Sequence, residues 1–158
     1  MSVEKVREYF KQYGIEEQIL EFETSSATVE LAAKALGVKP GLIAKTLSFM
    51  ANDTPILIVT AGDAKINNAK YKAKFSKKAK MLKPDEVTEY IGHDIGGVCP
   101  FAVKPGVDIY LDVSLKKYDY VYPACGSSNS AIKLSPDELA KYCPYKEWID
   151  VCKTSNEQ

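Results

Sequence analysis

The chain has 158 residues, 46% of them hydrophobic and 27% charged, and its 21 Lys and Arg exactly balance its 21 Asp and Glu. A chain of this length buries about two-thirds of the surface it exposes when unfolded, so one domain over residues 1–158 is expected, and the composition excludes global disorder. The opening MSVEKVREYFKQYG mixes charge into its apolar positions and lacks the h-region of a signal peptide; no stretch approaches the ~20 apolar residues of a membrane span, so a cytoplasmic protein with no membrane partner is expected.

Ser2 is placed to cap a first helix with Val3, Val6, Tyr9, Phe10 and Tyr13 on one face and Gly14 as its stop. A short strand over 18–23 follows. Residues 28–36 read as a second helix, with Val29, Ala32, Ala33 and Leu36 in register and Gly37 and Pro40 beyond its end. Strands over 44–50 and 55–60 flank the turn-forming Asn52-Asp53-Thr54 and make a hairpin. A short helix fits 84–91, and the glycines and proline of residues 92–100 oppose both regular structures, which predicts an ordered loop. Strands are expected over 107–111, 120–124 and 131–134. Ser135-Pro136-Asp137-Glu138 then has the cap, first-turn proline and N3 glutamate of a helix start. The fold class expected is mixed α/β (α+β): a central mixed, partly barrel-like sheet flanked by helices.

Strict alternation puts Lys45 on the same strand face as Ile43, Leu47 and Phe49. It either snorkels from a strand end into solvent or lines a pocket, aimed at an anionic or carbonyl oxygen. From residue 64 to 84 there are eight lysines, 65, 70, 72, 74, 77, 78, 80 and 83, and no acidic residue. Interleaved with Tyr71 and Phe75, they suit an RNA backbone with a stacked base; a solvated helix and loop face reads the same way. The overall neutrality argues against long duplex contacts and against DNA.

Gly96-Gly97-Val98-Cys99-Pro100 lets backbone N–H groups approach a ligand, as would a purely structural turn. Cys99 as a nucleophile would need a low thiol pKa and His93, the single histidine, within reach. Ala124 to Ser130, with Gly126, Ser127 and Ser128, forms either a polar pocket wall or a hairpin loop. Cys99, Cys125, Cys143 and Cys152 are dispersed, as in reduced proteins. Neither metal nor cofactor is implied.

Together, Ser26-Ala27-Thr28 before a helix ending Ala35-Leu36-Gly37-Val38, then Ile43-Ala44-Lys45-Thr46-Leu47, Gly62-Asp63 and Gly96-Gly97-Val98-Cys99-Pro100, resemble the YbaK family, which includes the editing domain associated with prolyl-tRNA synthetase. The resemblance spans nearly the whole chain, in order, and the chain is similar to the freestanding, trans-acting members. It implies deacylation of mischarged tRNA, with tRNA(Pro) as the expected carrier, the acceptor end as partner and a synthetase as a further one. The family's lysine matches Lys45 and its glycine-proline loop matches Gly97 to Pro100; Phe22, Thr28, Thr46, Gly96, Cys99 and the 126–128 segment would line the substrate site. Members acting on cysteinyl-tRNA carry basic residues and an aspartate where this chain has Ser127, Ser128 and Ala131, which weakens the case for cysteine.

An aminoacyl ester is already activated, so positioning and charge stabilisation suffice. Lys45 is expected to anchor a phosphate or carbonyl oxygen, and the N–H groups of Gly97 and Val98 to hold the oxyanion. The attacking water would lose its proton to the substrate's own ribose hydroxyl or amine. Lys65, Lys70, Lys72, Lys74, Lys77 and Lys78 are expected along the tRNA backbone. The competing reading is a non-catalytic sensor of aminoacyl-adenosine.

Overall fold

The computed structural model describes residues 2–153; the side chain of Ser2, the expected first cap, lies outside the described part. The helices are α1 Ser2–Phe10, α2 Val29–Leu36, α3 Asn68–Phe75, α4 Pro84–Glu86 and α5 Pro136–Tyr142. The strands are β1 Leu20–Glu21, β2 Ile43–Ala51, β3 Thr54–Ala61, β4 Lys65–Ile66, β5 Asp108–Asp112, β6 Tyr122–Pro123, β7 Ser130–Ala131, β8 Tyr145–Ile149 and β9 Cys152–Lys153.

β2 and β3 form the hairpin that organises the sheet. Its register, Ala51 opposite Thr54, leaves Asn52 (φ 51°) and Asp53 (φ 69°) as the two central residues. Positive φ at both matches a type I′ turn, whose twist suits the flanking strands. The five-stranded sheet runs β6-β2-β3-β5-β8, antiparallel at β2–β3 and parallel elsewhere, and curls into a half-barrel flanked by helices. Alternation sorts two cores. Ala44, Leu57, Val59, Ile109 and Leu111 face Val6 and Phe10 of α1 and Leu139 of α5. Phe49, Ile56, Ile58 and Tyr110 face the other way, toward α3 and Val151.

Local signals account for the helix ends. Ser135 Oγ accepts from Glu138 N at 3.1 Å while Glu138 Oε1 accepts from Ser135 N at 2.9 Å. That reciprocal pair satisfies two N–H groups the helix itself leaves open. The expected helix over 84–91 is one α-turn that widens into a π-type turn, Val87–Ile91.

The structure revises several expectations. The strands over 18–23, 120–124 and 131–134 shrink to β1, β6 and β7. Residues 121–124 and 131–134 still face one another, through Val121 N to Leu134 O at 2.7 Å and Ile132 N to Pro123 O at 3.1 Å, but Pro123 cannot donate to a ladder. β8, β4 and β9 were not anticipated. Tyr71 and Phe75 do not stack bases: they are 1% and 8% exposed, their rings lie 4.7 Å apart, and each packs with a centroid separation of 5.2 Å on a core ring, Tyr71 on Phe49 and Phe75 on Tyr110.

Candidate active site

β2 is paired with β6 only at Ile43 and Ala44, and residues 80–82 cover it again from Ser48 onward, through Leu82 N to Ser48 O at 3.1 Å. Beside the stretch between lies a cavity of about 300 Å³. Its walls are largely apolar: Val29 and Ala32 of α2, Ile43 and Leu47 of β2, Leu82, and Val98. Lys45, Thr46 and Ser48 from β2 and Ser26 and Thr28 from the approach to α2 supply its polar groups.

Lys45 is half-buried, on the face of β2 shared with Leu47 and Phe49. Its ammonium donates to the Ala64 carbonyl. Burial pushes its pKa below the usual lysine range, and the nearby Asp63 and Glu30 carboxylates oppose that shift. Tyr118 OH donates to Asp63 Oδ2 at 2.6 Å, while burial and that bond push the phenol up to about 12. Asp63 Oδ1 and Thr46 Oγ1 are buried with no hydrogen-bond partner among the described residues. A buried oxygen in that state costs free energy until a donor arrives, and Thr46 lies on the cavity wall. Thr28 both lines the cavity and caps α2, its Oγ1 accepting from Leu31 N at 3.1 Å.

The glycine-rich loop divides its residues between two spaces. Gly96 and Val98 line the first cavity, whereas Gly97 lines a second, of about 500 Å³, together with Lys5, Asp94, Gly126, Ser127 and Ser128; Ile95 borders both. Gly97 N–H donates to Asp94 O at 3.0 Å, so it is engaged within the loop and is not the oxyanion donor expected from sequence. Its need for glycine is a close approach: a Cβ there would sit 2.7 Å from Gly126 C and Ser127 N.

Other expected site residues are elsewhere. Phe22, Cys99 and Pro100 line neither cavity. Phe22 is tied to Asn129, its N–H donating to Asn129 O at 2.8 Å. Cys99 is fully buried, 3.6 Å from both His93 Nε2 and Phe101 O, and burial raises its thiol to about 12, which removes the nucleophile reading. The lysine run is split: Lys70 bonds Asp150 Oδ1 at 3.3 Å and Cys152 O at 3.0 Å, and Lys74 meets Glu147 at 2.5 Å. Lys65, Lys72, Lys77 and Lys78 are exposed. Two residues that composition did not single out, Lys5 and Ile95, border the cavities; Ile95 had one signal, an apolar side chain inside a glycine loop, and Lys5, an ordinary charged position of α1, had none.

The profile of the family described as "Aminoacyl-tRNA editing domain" matches residues 23–142, a span that holds β2, α2 and the glycine loop. The chain belongs to that family. As an editing domain it is 56% identical to YwhH of Bacillus subtilis (strain 168), over 97% of this chain and 98% of the relative. It is 29% identical to the Enterococcus faecalis protein named "Putative Cys-tRNA(Pro)/Cys-tRNA(Cys) deacylase EbsC", covering 71% of this chain and 70% of that one. Among solved structures, the editing domain superposes on one titled "Crystal structure of a putative trans-editing enzyme for prolyl tRNA synthetase" with a TM-score of 0.85 at 26% identity, over 96% of this chain and 97% of the other. Among the described residues no helix is long and apolar enough to cross a membrane.

Proposed function

We propose that this editing domain is an aminoacyl-tRNA deacylase that hydrolyses the ester of mischarged tRNA in trans, with tRNA(Pro) as the carrier. The observation that carries the reading is that an otherwise apolar space of about 300 Å³ is bordered by Lys45 and by Thr46, consecutive residues of β2, with the Thr46 hydroxyl lacking a hydrogen-bond partner among the described residues. An apolar enclosure of that size suits a small amino-acid side chain, and family membership supplies the ester. The names of the E. faecalis relative and of the superposed structure support tRNA(Pro) and action in trans.

Lys45 turns from the Ala64 carbonyl to the ester, exchanging one hydrogen bond at a cost of about 1 kcal/mol. Its charge then faces the oxygen on which negative charge develops. With Gly97 N–H engaged, the Val98 N–H is the loop's remaining donor from the expected pair. Water attacks the carbonyl carbon, the bond to the ribose oxygen breaks, and the substrate's own hydroxyl or amine carries the water proton to that leaving oxygen. Free amino acid and tRNA result. The exposed Lys65, Lys72, Lys77 and Lys78, together with the ion-paired Lys70 and Lys74, meet the RNA backbone.

The test is release of labelled amino acid from alanyl-, cysteinyl-, seryl- and prolyl-tRNA(Pro) by the wild type and Lys45→Ala. Lysine-dependent hydrolysis of a mischarged species is expected. Retained binding of the acceptor end with no turnover of any species would instead identify a sensor.

A further inference from the structure

The backbone of residues 95–98 is a partition with a cavity on each side. Gly96 and Val98 face the apolar one, Gly97 faces the polar one, and Ile95 borders both. The two sides are also tied at the lip. Ser26, on the first cavity, donates from its N–H and its Oγ to the carbonyl of Ser128, on the second. An aminoacyl ester has the same division, with an amino-acid side chain on one side of the carbonyl and a ribose bearing a base and a phosphate on the other. A carbonyl held at the partition therefore directs its nucleoside half into the second cavity.

That cavity has the chemistry for it. At about 500 Å³ it lies within the ~300–1,000 Å³ range of small-molecule sites. Lys5 stands on its rim with one donor on Gly92 O at 2.9 Å, and an ammonium carries three. The exposed Asp94 carboxylate accepts from ribose hydroxyls or an exocyclic amine. Ile95 is 67% exposed, an apolar side chain of that exposure being a surface on which a base face can lie.

We propose that the second cavity binds the 3′-terminal nucleoside monophosphate of the RNA, with its phosphate on Lys5 and its base against Ile95. The assignment rests on the deacylase reading, because it divides that substrate between the two cavities.

The experiment follows backbone amide shifts of the full chain during titration with AMP and, separately, adenosine. Shifts at Ile95, Gly97, Gly126 and Ser128 are expected, with Val29 and Ala32 unmoved. AMP binds the wild type about fivefold tighter than adenosine does, the scale of one exposed ion pair, and Lys5→Ala brings the two to equal affinity. Ile95→Ala weakens both. Shifts confined to the first cavity, none up to about 10 mM, or an unchanged preference for AMP in Lys5→Ala overturn the proposal. Lysine-dependent hydrolysis combined with any of those results sinks the nucleotide site alone. AMP bound as expected by a protein that hydrolyses no aminoacyl-tRNA sinks the deacylase reading and leaves a nucleotide site.

Discussion

Gly97→Ala tests whether the partition between the cavities is held by close backbone contact. The added Cβ meets Gly126 C and Ser127 N at 2.7 Å and Gly126 O at 2.8 Å, so the atoms in its way are main chain on a neighbouring loop, which no rotamer change can clear. Either the 95–98 turn or the 126–128 segment must move. Overpacking of this kind costs about 1–3 kcal/mol, and at about 2–4 °C per kcal/mol for a domain of this size the melting midpoint should fall by roughly 2–12 °C. The displacement acts directly on Gly96 and Val98, which line the first cavity on either side of the substituted residue. Deacylation should therefore fall more than tenfold at a temperature where the variant remains folded, since about 1 Å of misplacement can cost on the order of 100-fold. Gly106→Ala is the control: its φ is +90°, but nothing lies within 4 Å of the added atom, so it loses stability through strain alone and keeps its activity. Gly97→Ala with an unchanged melting midpoint and unchanged turnover would refute the argument.

Lys45→Ala should abolish deacylation with the fold retained by circular dichroism, and Lys45→Arg should restore little, since a planar fork cannot replace a point charge. Because burial lowers the folded pKa of Lys45 beneath its unfolded 10.5, the unfolded chain binds more protons in the window between the two values. Stability should thus rise with pH through that window in the wild type relative to Lys45→Met, while enzyme-dependent hydrolysis falls there; denaturant melts and rates across the alkaline range measure both. Cys99→Ala should keep deacylation, and Cys99 in the folded protein should resist iodoacetamide at about pH 8, because a thiol raised to about 12 holds almost no thiolate; mass spectrometry of alkylated peptides decides it. Tyr71→Phe should leave stability unchanged or raise it by up to about 1 kcal/mol, since it removes a buried hydroxyl with no partner among the described residues, and should leave tRNA affinity untouched. Weakened RNA binding in Tyr71→Phe would return that ring to the nucleic-acid interface.

What was legible in the sequence was what short-range physics decides. Alternation along residues 43–49 placed Lys45 on the Leu47 and Phe49 face, Asn52-Asp53 announced the tight hairpin, and Ser135-Pro136-Asp137-Glu138 announced α5, because side-chain period, turn chemistry and capping act over a few residues. Family membership was legible for the same reason, in motifs that each occupy a few positions. β8 was not: Lys146 and Glu147 interrupt its apolar pattern, and it is a strand only because β5 offers an edge. Tyr71 and Phe75 looked like a stacking surface amid lysines until the second face of the sheet enclosed them. Gly97 read as an oxyanion donor, whereas its N–H serves Asp94 and its missing Cβ admits the Gly126 backbone, a neighbour 29 positions away. Cys99 and Pro100 belong to the same loop motif and are buried behind it. Residue types determine which groups are present; which of them share a cavity, and which are spent on holding the wall between two, depends on contacts between segments distant in the chain, and those exist only once it has folded.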